Sequence, residues 1–215
     1  MLDLTRYRHV IWDWNGTLLD DVDCARGVVD RMLRRRGLPG LTPERYQESF
    51  RFPIQDYYAA VGFDFAVDPF PELALEFHAD YAPRSRECVL QPHTIETLQH
   101  LRQTGIGQSV LSAAEQMDLE RHIEFFGLGH YFTHLVGIDD QHGGSKELHG
   151  QRWLAQLSHG PTEVVLVGDT EHDVDVAEAL GVDCVLVANG HQPRGRLEQC
   201  GAPIVDRLDQ LWSPR

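Results

Sequence analysis

One stretch near the start constrains the chain more than any other: His9-Val10-Ile11-Trp12-Asp13-Trp14-Asn15-Gly16-Thr17-Leu18-Leu19-Asp20. His9 to Trp12 is a compact apolar run that ends on an acidic residue and breaks at Asn15-Gly16. A buried strand that delivers a carboxylate to a turn has this pattern. Ligands of open α/β sheets bind just beyond the carboxyl ends of the strands, where Asp13 falls, and Gly16 lets backbone approach closely. A second stretch repeats the arrangement: Glu163-Val164-Val165-Leu166-Val167-Gly168-Asp169-Thr170-Glu171-His172-Asp173. Another apolar strand ends on Gly-Asp, with a further Asp four residues on. Two buried strands aiming carboxylates at one edge make a hard-oxygen site suited to Mg²⁺.

Between and after these stretches the pattern alternates. Val22, Ala25, Val28, Val29, Met32 and Leu33 recur at helical spacing, with Arg31, Arg34, Arg35 and Arg36 largely opposite. Gly37 and Pro39 stop that helix, and Thr42-Pro43-Glu44 starts the next, with Thr as cap and Pro in the first turn. Further helices are expected over 54–61 and 72–81. No convincing strand lies between Asp20 and Leu90. Beyond Pro92 the spacing predicts a helix over 94–103, a strand over 107–111 ending on Ser112, and a helix over 115–126. A weaker strand over 132–137 follows, then a helix capped by Ser145 and running to about Leu157. A strand over 163–167, a helix over 172–180, a strand over 183–187 and a short C-terminal helix complete the chain. Such alternation implies an α/β fold with a doubly wound parallel sheet. Its core is expected over 1–19 and 91–215, with a helical cap inserted over 20–90.

The formal charge of −14 disfavours nucleic acid and anionic membrane surfaces as partners, since both need basic patches. Anionic metabolites stay open, because a bound divalent cation reverses the local field. Cys24, Cys88, Cys184 and Cys200 form no Cys-x-x-Cys pair and read as incidental thiols of a reducing compartment. The histidine spacing fits no metal signature. Neither a signal-peptide pattern nor a membrane-spanning apolar run is present, so a cytoplasmic location is expected.

Together the two acidic stretches resemble the haloacid dehalogenase (HAD) superfamily of phosphotransferases, and the helical insert matches the cap of many of its phosphatases. The tail, Gly190-His191-Gln192 with Arg196-Leu197 and then Ile204-Val205-Asp206-Arg207-Leu208, looks like the phosphoglycolate-phosphatase-like branch. The resemblance implies a nucleophile at Asp13 that forms an aspartyl phosphate. It implies Mg²⁺ held by Asp13, Asp169 and the backbone carbonyl of Asn15. Asp173 would bind the metal or its waters, or cap the helix that follows it. Asp175, two residues on, would face solvent. Ser112 with Ala113, Thr17 and Lys146 would hold the phosphoryl group, and Arg51 of the insert would contact substrate, as would Tyr57 unless it packs inside the insert. Lys146 is the only lysine in the chain.

The family's first motif reads Asp-x-Asp-Gly-Thr, whereas this chain has Asp13-Trp14-Asn15-Gly16-Thr17. The second acid protonates the leaving group and later deprotonates water; an amide does neither. Glu115, His172 and His191 are candidate replacements, and a substrate with a good leaving group would need less acid help. The expected activity is Mg²⁺-dependent removal of phosphate from a small phosphorylated metabolite by a monomer or homodimer. The alternatives are a catalytically impaired binding or regulatory protein, or phosphoryl transfer to an acceptor other than water. A cap with no lysine excludes the Schiff-base chemistry of phosphonoacetaldehyde hydrolases in its usual form.

Overall fold

The computed structural model describes residues 4–138 and 146–212. In chain order the elements are β1 (His9–Trp12), β2 (Leu19–Asp20), α1 (Val22–Arg35), α2 (Pro43–Ser49), α3 (Ile54–Val61), α4 (Phe70–Ser85) and β3 (Val89–Leu90). They continue with α5 (Thr94–Gln103), β4 (Gly107–Glu115), α6 (Gln116–Phe125), β5 (His134–Ile138), α7 (Lys146–Leu154), β6 (Val164–Gly168), α8 (Glu171–Leu180), β7 (Asp183–Val187), α9 (Arg194–Leu197) and β8 (Ile204–Val205).

Six strands form one parallel sheet in the order β5-β4-β1-β6-β7-β8. The expected doubly wound α/β architecture is therefore present. Strand β1 lies at the centre and every residue of it is buried. Its alternating side chains feed two apolar layers. Val10 and Trp12 pack with Leu98, Leu101, Val110 and Leu119 on one face. Ile11 packs with Leu111, Trp153, Val164, Leu166 and Val176 on the other. Burial of both faces is what a central parallel strand requires, and it explains the unbroken apolar runs in β1 and β6. The polar groups that enter these layers are paired: His9 Nε2 meets Ser109 Oγ at 2.9 Å, and Trp12 Nε1 donates to Gln108 at 3.1 Å.

Helices α1 to α4 build a separate apolar cluster from Val28, Val29, Met32, Leu33, Tyr46, Tyr57, Tyr58 and Leu73. The arginine row of α1 is tied to acids of α4: Arg31 to Asp80 at 2.9 Å and Arg36 to Glu76 at 2.7 Å. Thr42 caps α2 by accepting from the Arg45 backbone N–H at 3.3 Å. The stretch between Asp20 and Leu90 was expected to hold no strand. Two short ones stand at its ends, where Leu19 pairs with Leu90 and Asp20 with Val89 in an antiparallel ladder. Two residues per strand are too few to leave an alternation in the sequence.

Other bounds shift by a residue or two, and those of three elements by more. Helix α4 runs over Phe70–Ser85 and carries Pro83 in its last turn. Strand β4 continues past Ser112 to Glu115 through a register shift against β5. Helix α7 ends at Leu154. Ser145, its expected cap, lies outside the described residues, as do Gly143 and Gly144. All four cysteines are free thiols, each part-buried. No helix among the described residues is long and apolar enough to cross a membrane.

Candidate active site

Register brings the acids together. Trp12 is paired with Val167 of β6 on one side and with Val110 of β4 on the other. The next residue of β1, Asp13, donates its backbone N–H to the Val167 carbonyl at 2.9 Å. Asp13 and Asp169 therefore leave adjacent strand ends within one residue of the same level, and Ser112 lies in the opposite neighbour, β4. Space there is made by glycines. Gly16 sits at φ +79, and a Cβ on Gly16 or Gly190 would run into the Asp169 carboxylate.

Asp13, Asp169 and Asp173 are buried, and each offers an oxygen, all within 4.8 Å of one another. Lys146, at the start of α7, bridges two of them: its Nζ donates to Asp13 Oδ1 and to Asp173 Oδ1, each at 2.6 Å. Asp173 also accepts from Thr170 through its other oxygen, from the backbone N–H at 3.1 Å and the hydroxyl at 2.8 Å. It thus serves both the acid cluster and the start of α8. Thr17, expected beside the phosphoryl group, is fully buried instead. Its hydroxyl spans Asp13 Oδ2 at 3.2 Å and Asp169 Oδ1 at 2.9 Å, so it orients the two carboxylates.

Burial dominates the electrostatics. It pushes the Asp13 carboxyl up; Lys146 pulls it back and Asp173 pushes it further, leaving it at about 6. Burial likewise raises Asp169 to about 7, against the pull of His191 and with the push of Asp13 and Asp173. Burial opposes the charge of Lys146, but Asp13 and Asp173 outweigh it and hold the ammonium above its ordinary range.

Three residues that carried no signal in the sequence complete the site: Asp21, Tyr46 and Tyr81. Asn15 Nδ2 donates to Asp21 Oδ2 at 2.9 Å and to the Tyr81 hydroxyl at 2.7 Å. Tyr81 donates to the same Asp21 oxygen at 2.6 Å. Asp21 Oδ1 accepts from the Gly16 N–H at 2.9 Å and faces His191 Nε2 at 3.3 Å. The other ring nitrogen of His191 meets the Tyr46 hydroxyl at 2.6 Å, and its backbone N–H donates to Asp169 at 2.6 Å. Burial disfavours the imidazolium, yet Asp21 outweighs it and raises His191 to about 9. Burial works against the Asp21 charge too, but His191, Tyr81 and Asn15 hold its carboxyl below the ordinary range. The network spans both cores, since Tyr46 and Tyr81 belong to α2 and α4.

The remaining predicted residues are placed as follows. The Ser112 hydroxyl is buried and accepts from the Ala114 N–H at 3.0 Å; Ala113, between them, is exposed. Arg51 is not brought to the acids: its guanidinium donates to the backbone carbonyls of Ser49 at 2.9 Å and Glu48 at 3.3 Å. Tyr57 is buried in the aromatic cluster of α2 and α3, edge-on to Tyr46. Of the three candidate substitutes for an acid, His191 alone joins the cluster. The ring of His172 stacks on Phe52, centroids 4.4 Å apart, and Glu115 closes β4.

The donor set fits a divalent cation. Four buried carboxylates, Asp13, Asp21, Asp169 and Asp173, face two cations, Lys146 and His191, among the described residues. Clustered buried carboxylate oxygens in surplus over cations suit Mg²⁺, a hard cation that takes oxygen ligands.

This geometry coincides with sequence similarity. The chain belongs to the haloacid dehalogenase-like hydrolase family, which it matches over residues 10–187. It is 29% identical over 213 residues to a phosphoglycolate phosphatase of Pseudomonas putida, covering 95% of this chain and 78% of that protein. It is also 29% identical over 210 residues to the tyrosine-protein kinase PtkA of Mycobacterium tuberculosis, covering 94% and 70%. Among solved structures, a haloacid dehalogenase-like hydrolase from Streptococcus pneumoniae superposes with a TM-score of 0.84 at 16% identity, covering 96% of this chain and 97% of that one.

Proposed function

We propose that the protein is a Mg²⁺-dependent phosphohydrolase acting on a small phosphorylated metabolite, with Asp13 as nucleophile. The observation that carries this reading is the chain's only lysine, buried and bonded to Asp13 and Asp173 with Asp169 alongside. A buried ammonium bonded to two of three clustered carboxylates at the ends of two parallel strands is the kind of charge arrangement found at functional sites. The similarity to phosphoglycolate phosphatases supports removal of phosphate from a small molecule.

In this reading an Asp13 oxygen attacks phosphorus and forms an aspartyl phosphate while the P–O bond to the leaving group breaks, its electron pair staying on the leaving oxygen; water then attacks phosphorus and frees the carboxylate. Lys146 keeps Asp13 oriented and balances charge on the phosphoryl oxygens. Ser112 and the Ala113 N–H, in the last part of β4 beyond its regular pairing with β5, contact those oxygens. Mg²⁺ would be held by Asp13, Asp169 and Asp173 with the Asn15 carbonyl, and would supply neutralisation of the phosphoryl charge. Residues 20–90 act as a cap whose Tyr46 and Tyr81 close on the core and exclude bulk water. The protein works in the cytoplasm as a monomer or homodimer, without nucleic acid or membrane partners.

A second reading, phosphoryl transfer to a hydroxyl other than water, is favoured by the amide at position 15 and by the kinase name of one relative. Assay of the purified protein with Mg²⁺ against a panel of phosphorylated metabolites tests both. Release of inorganic phosphate supports hydrolysis, and a labelled acceptor supports transfer. Neither, across the panel, would leave a binding protein.

A further inference from the structure

Phosphoryl transfer from an ester needs somewhere for the leaving oxygen's charge to go. A positioned acid ordinarily supplies a proton. Residue 15 supplies none: its amide nitrogen is turned onto Asp21 and Tyr81, at 2.9 and 2.7 Å. The identity of that nitrogen is fixed by its partner, since the Asp21 carboxylate only accepts. Apart from the Ser112 hydroxyl, which accepts from the Ala114 N–H and is not an acid, the other protic groups around the acids are engaged as well. His191 has one ring nitrogen on Asp21 and the other on Tyr46. Tyr81 donates to Asp21. Lys146 bridges Asp13 and Asp173, and the hydroxyls of Thr17 and Thr170 are directed at carboxylates.

We infer that this site takes its phosphoryl group from a good leaving group, an aryl or acyl oxygen rather than an alkyl one, and that Asp21 and Tyr81 are the positioning residues that hold Asn15 in its donor-inward orientation. The inference rests on the phosphohydrolase reading above. In the step it describes, a lone pair of Asp13 forms the new O–P bond. The ester P–O bond breaks, and its electron pair leaves with the phenolate or carboxylate, which is stable without a proton. Water oxygen then bonds to phosphorus, the Asp13–phosphorus bond breaks, and the water's proton goes to the released phosphate.

The same geometry explains why residue 15 does not carry its own carboxyl here. A second carboxylate 2.9 Å from Asp21 would force one of the two to hold a proton. Exchanging the pair, Asn15→Asp with Asp21→Asn, keeps one carboxylate and one amide and moves the carboxyl to where it can serve as an acid.

The test is the leaving-group dependence of kcat/KM, which reports the steps up to departure of the leaving group. The natural protein with Mg²⁺ is assayed on substituted phenyl phosphates, acetyl phosphate and ethyl phosphate. The expected result is a steep fall as the leaving group becomes less acidic, with ethyl phosphate at least about 10²-fold below nitrophenyl phosphate, the scale of missing acid help. The Asn15→Asp/Asp21→Asn protein should raise the ethyl-to-nitrophenyl ratio by about 10²-fold or more, which a merely structural role for Asp21 would not do. Ethyl phosphate turned over within about tenfold of nitrophenyl phosphate by the natural protein overturns the inference and leaves the hydrolase reading intact. Turnover of no ester at all, with Asp13→Asn indistinguishable, overturns the hydrolase reading and this one with it. The series on the natural protein decides the matter even if the double variant does not fold.

Discussion

Asn15, in the loop that follows the central strand, and Asp21, just before α1, share a hydrogen bond of 2.9 Å, amide nitrogen to carboxylate. The Tyr81 hydroxyl, from the last helix of the insert, bonds to both of them. A contact between residues six apart thus fixes the orientation of the Asn15 side chain, two residues beyond Asp13, and a helix from the other apolar core locks it.

Replacing Asn15 by Asp sets two carboxylates at that distance. The single variant Asn15→Asp should melt lower than the natural protein, because like charges in contact are not both accommodated. Adding Asp21→Asn should recover part of the loss. The interaction energy across the four proteins should fall in the range of about 0.5–3 kcal/mol seen for contacting residues. Thermal melts at pH 8 check this, and simple additivity would count against it.

Lys146→Met should be strongly destabilising, by about 3–5 kcal/mol without metal, since it leaves Asp13 and Asp173 buried without their cation. Denaturant unfolding at pH 8 and pH 5 measures this. The loss should be smaller at pH 5, where the carboxyls can take up protons. An equal loss at both values would point to packing rather than charge.

Mg²⁺ binding should depend on pH with a definite sign. The folded carboxyls of Asp13 and Asp169 titrate at about 6 and about 7, above the ordinary 3.8. A carboxyl raised on folding costs stability above its unfolded pKa, so the metal-free protein weakens as pH rises from 3.8 to about 7. Mg²⁺ bound by these groups would take their ionised form and compete with protons below that range. The rise in Tm on exchanging a chelator for excess Mg²⁺ should therefore be small at about pH 5 and large at about pH 8. A shift independent of pH would contradict this assignment.

His191 behaves in the opposite sense. Its folded pKa of about 9 lies above the ordinary 6.5, so its pairing with Asp21 stabilises fully below 6.5 and is lost as pH rises through about 9. The stability difference between the natural protein and His191→Asn should be largest near pH 6 and shrink above pH 9. A constant difference would reduce His191 to its stacking on Phe50, whose ring centroid lies 4.9 Å away.

What could be read from the sequence follows from where the information lies. Asp13 and Asp169 were legible because each ends an apolar run and is followed or preceded by a glycine that structure requires, Gly16 and Gly168. Helix α5 and strand β7 have their expected bounds because His93, Gly105 and Gly181 punctuate them sharply. Lys146 stood out by being alone. Asp21 was invisible because an acid just before a helix reads as an ordinary first-turn residue, and its partners come from α4 and from the loop after β7. Tyr46 and Tyr81 read as helix-face aromatics; only the packing of the insert on the sheet turns their hydroxyls toward His191 and Asp21. The motif alone sets Thr17 beside the phosphoryl group, whereas its place under both carboxylates depends on the register of β1 against β6. Arg51 was assigned to substrate, but backbone carbonyls within its own turn take up its guanidinium.

The central claim is that Asp13 becomes covalently phosphorylated during turnover. The most direct measurement is acid quenching of the protein at steady state with Mg²⁺ and a phosphorus-labelled aryl phosphate, followed by mapping of the label by peptide mass spectrometry. The account predicts label on the peptide containing Asp13, absent without Mg²⁺ and absent in Asp13→Asn. Label at another residue, or undiminished turnover by Asp13→Asn, would contradict it.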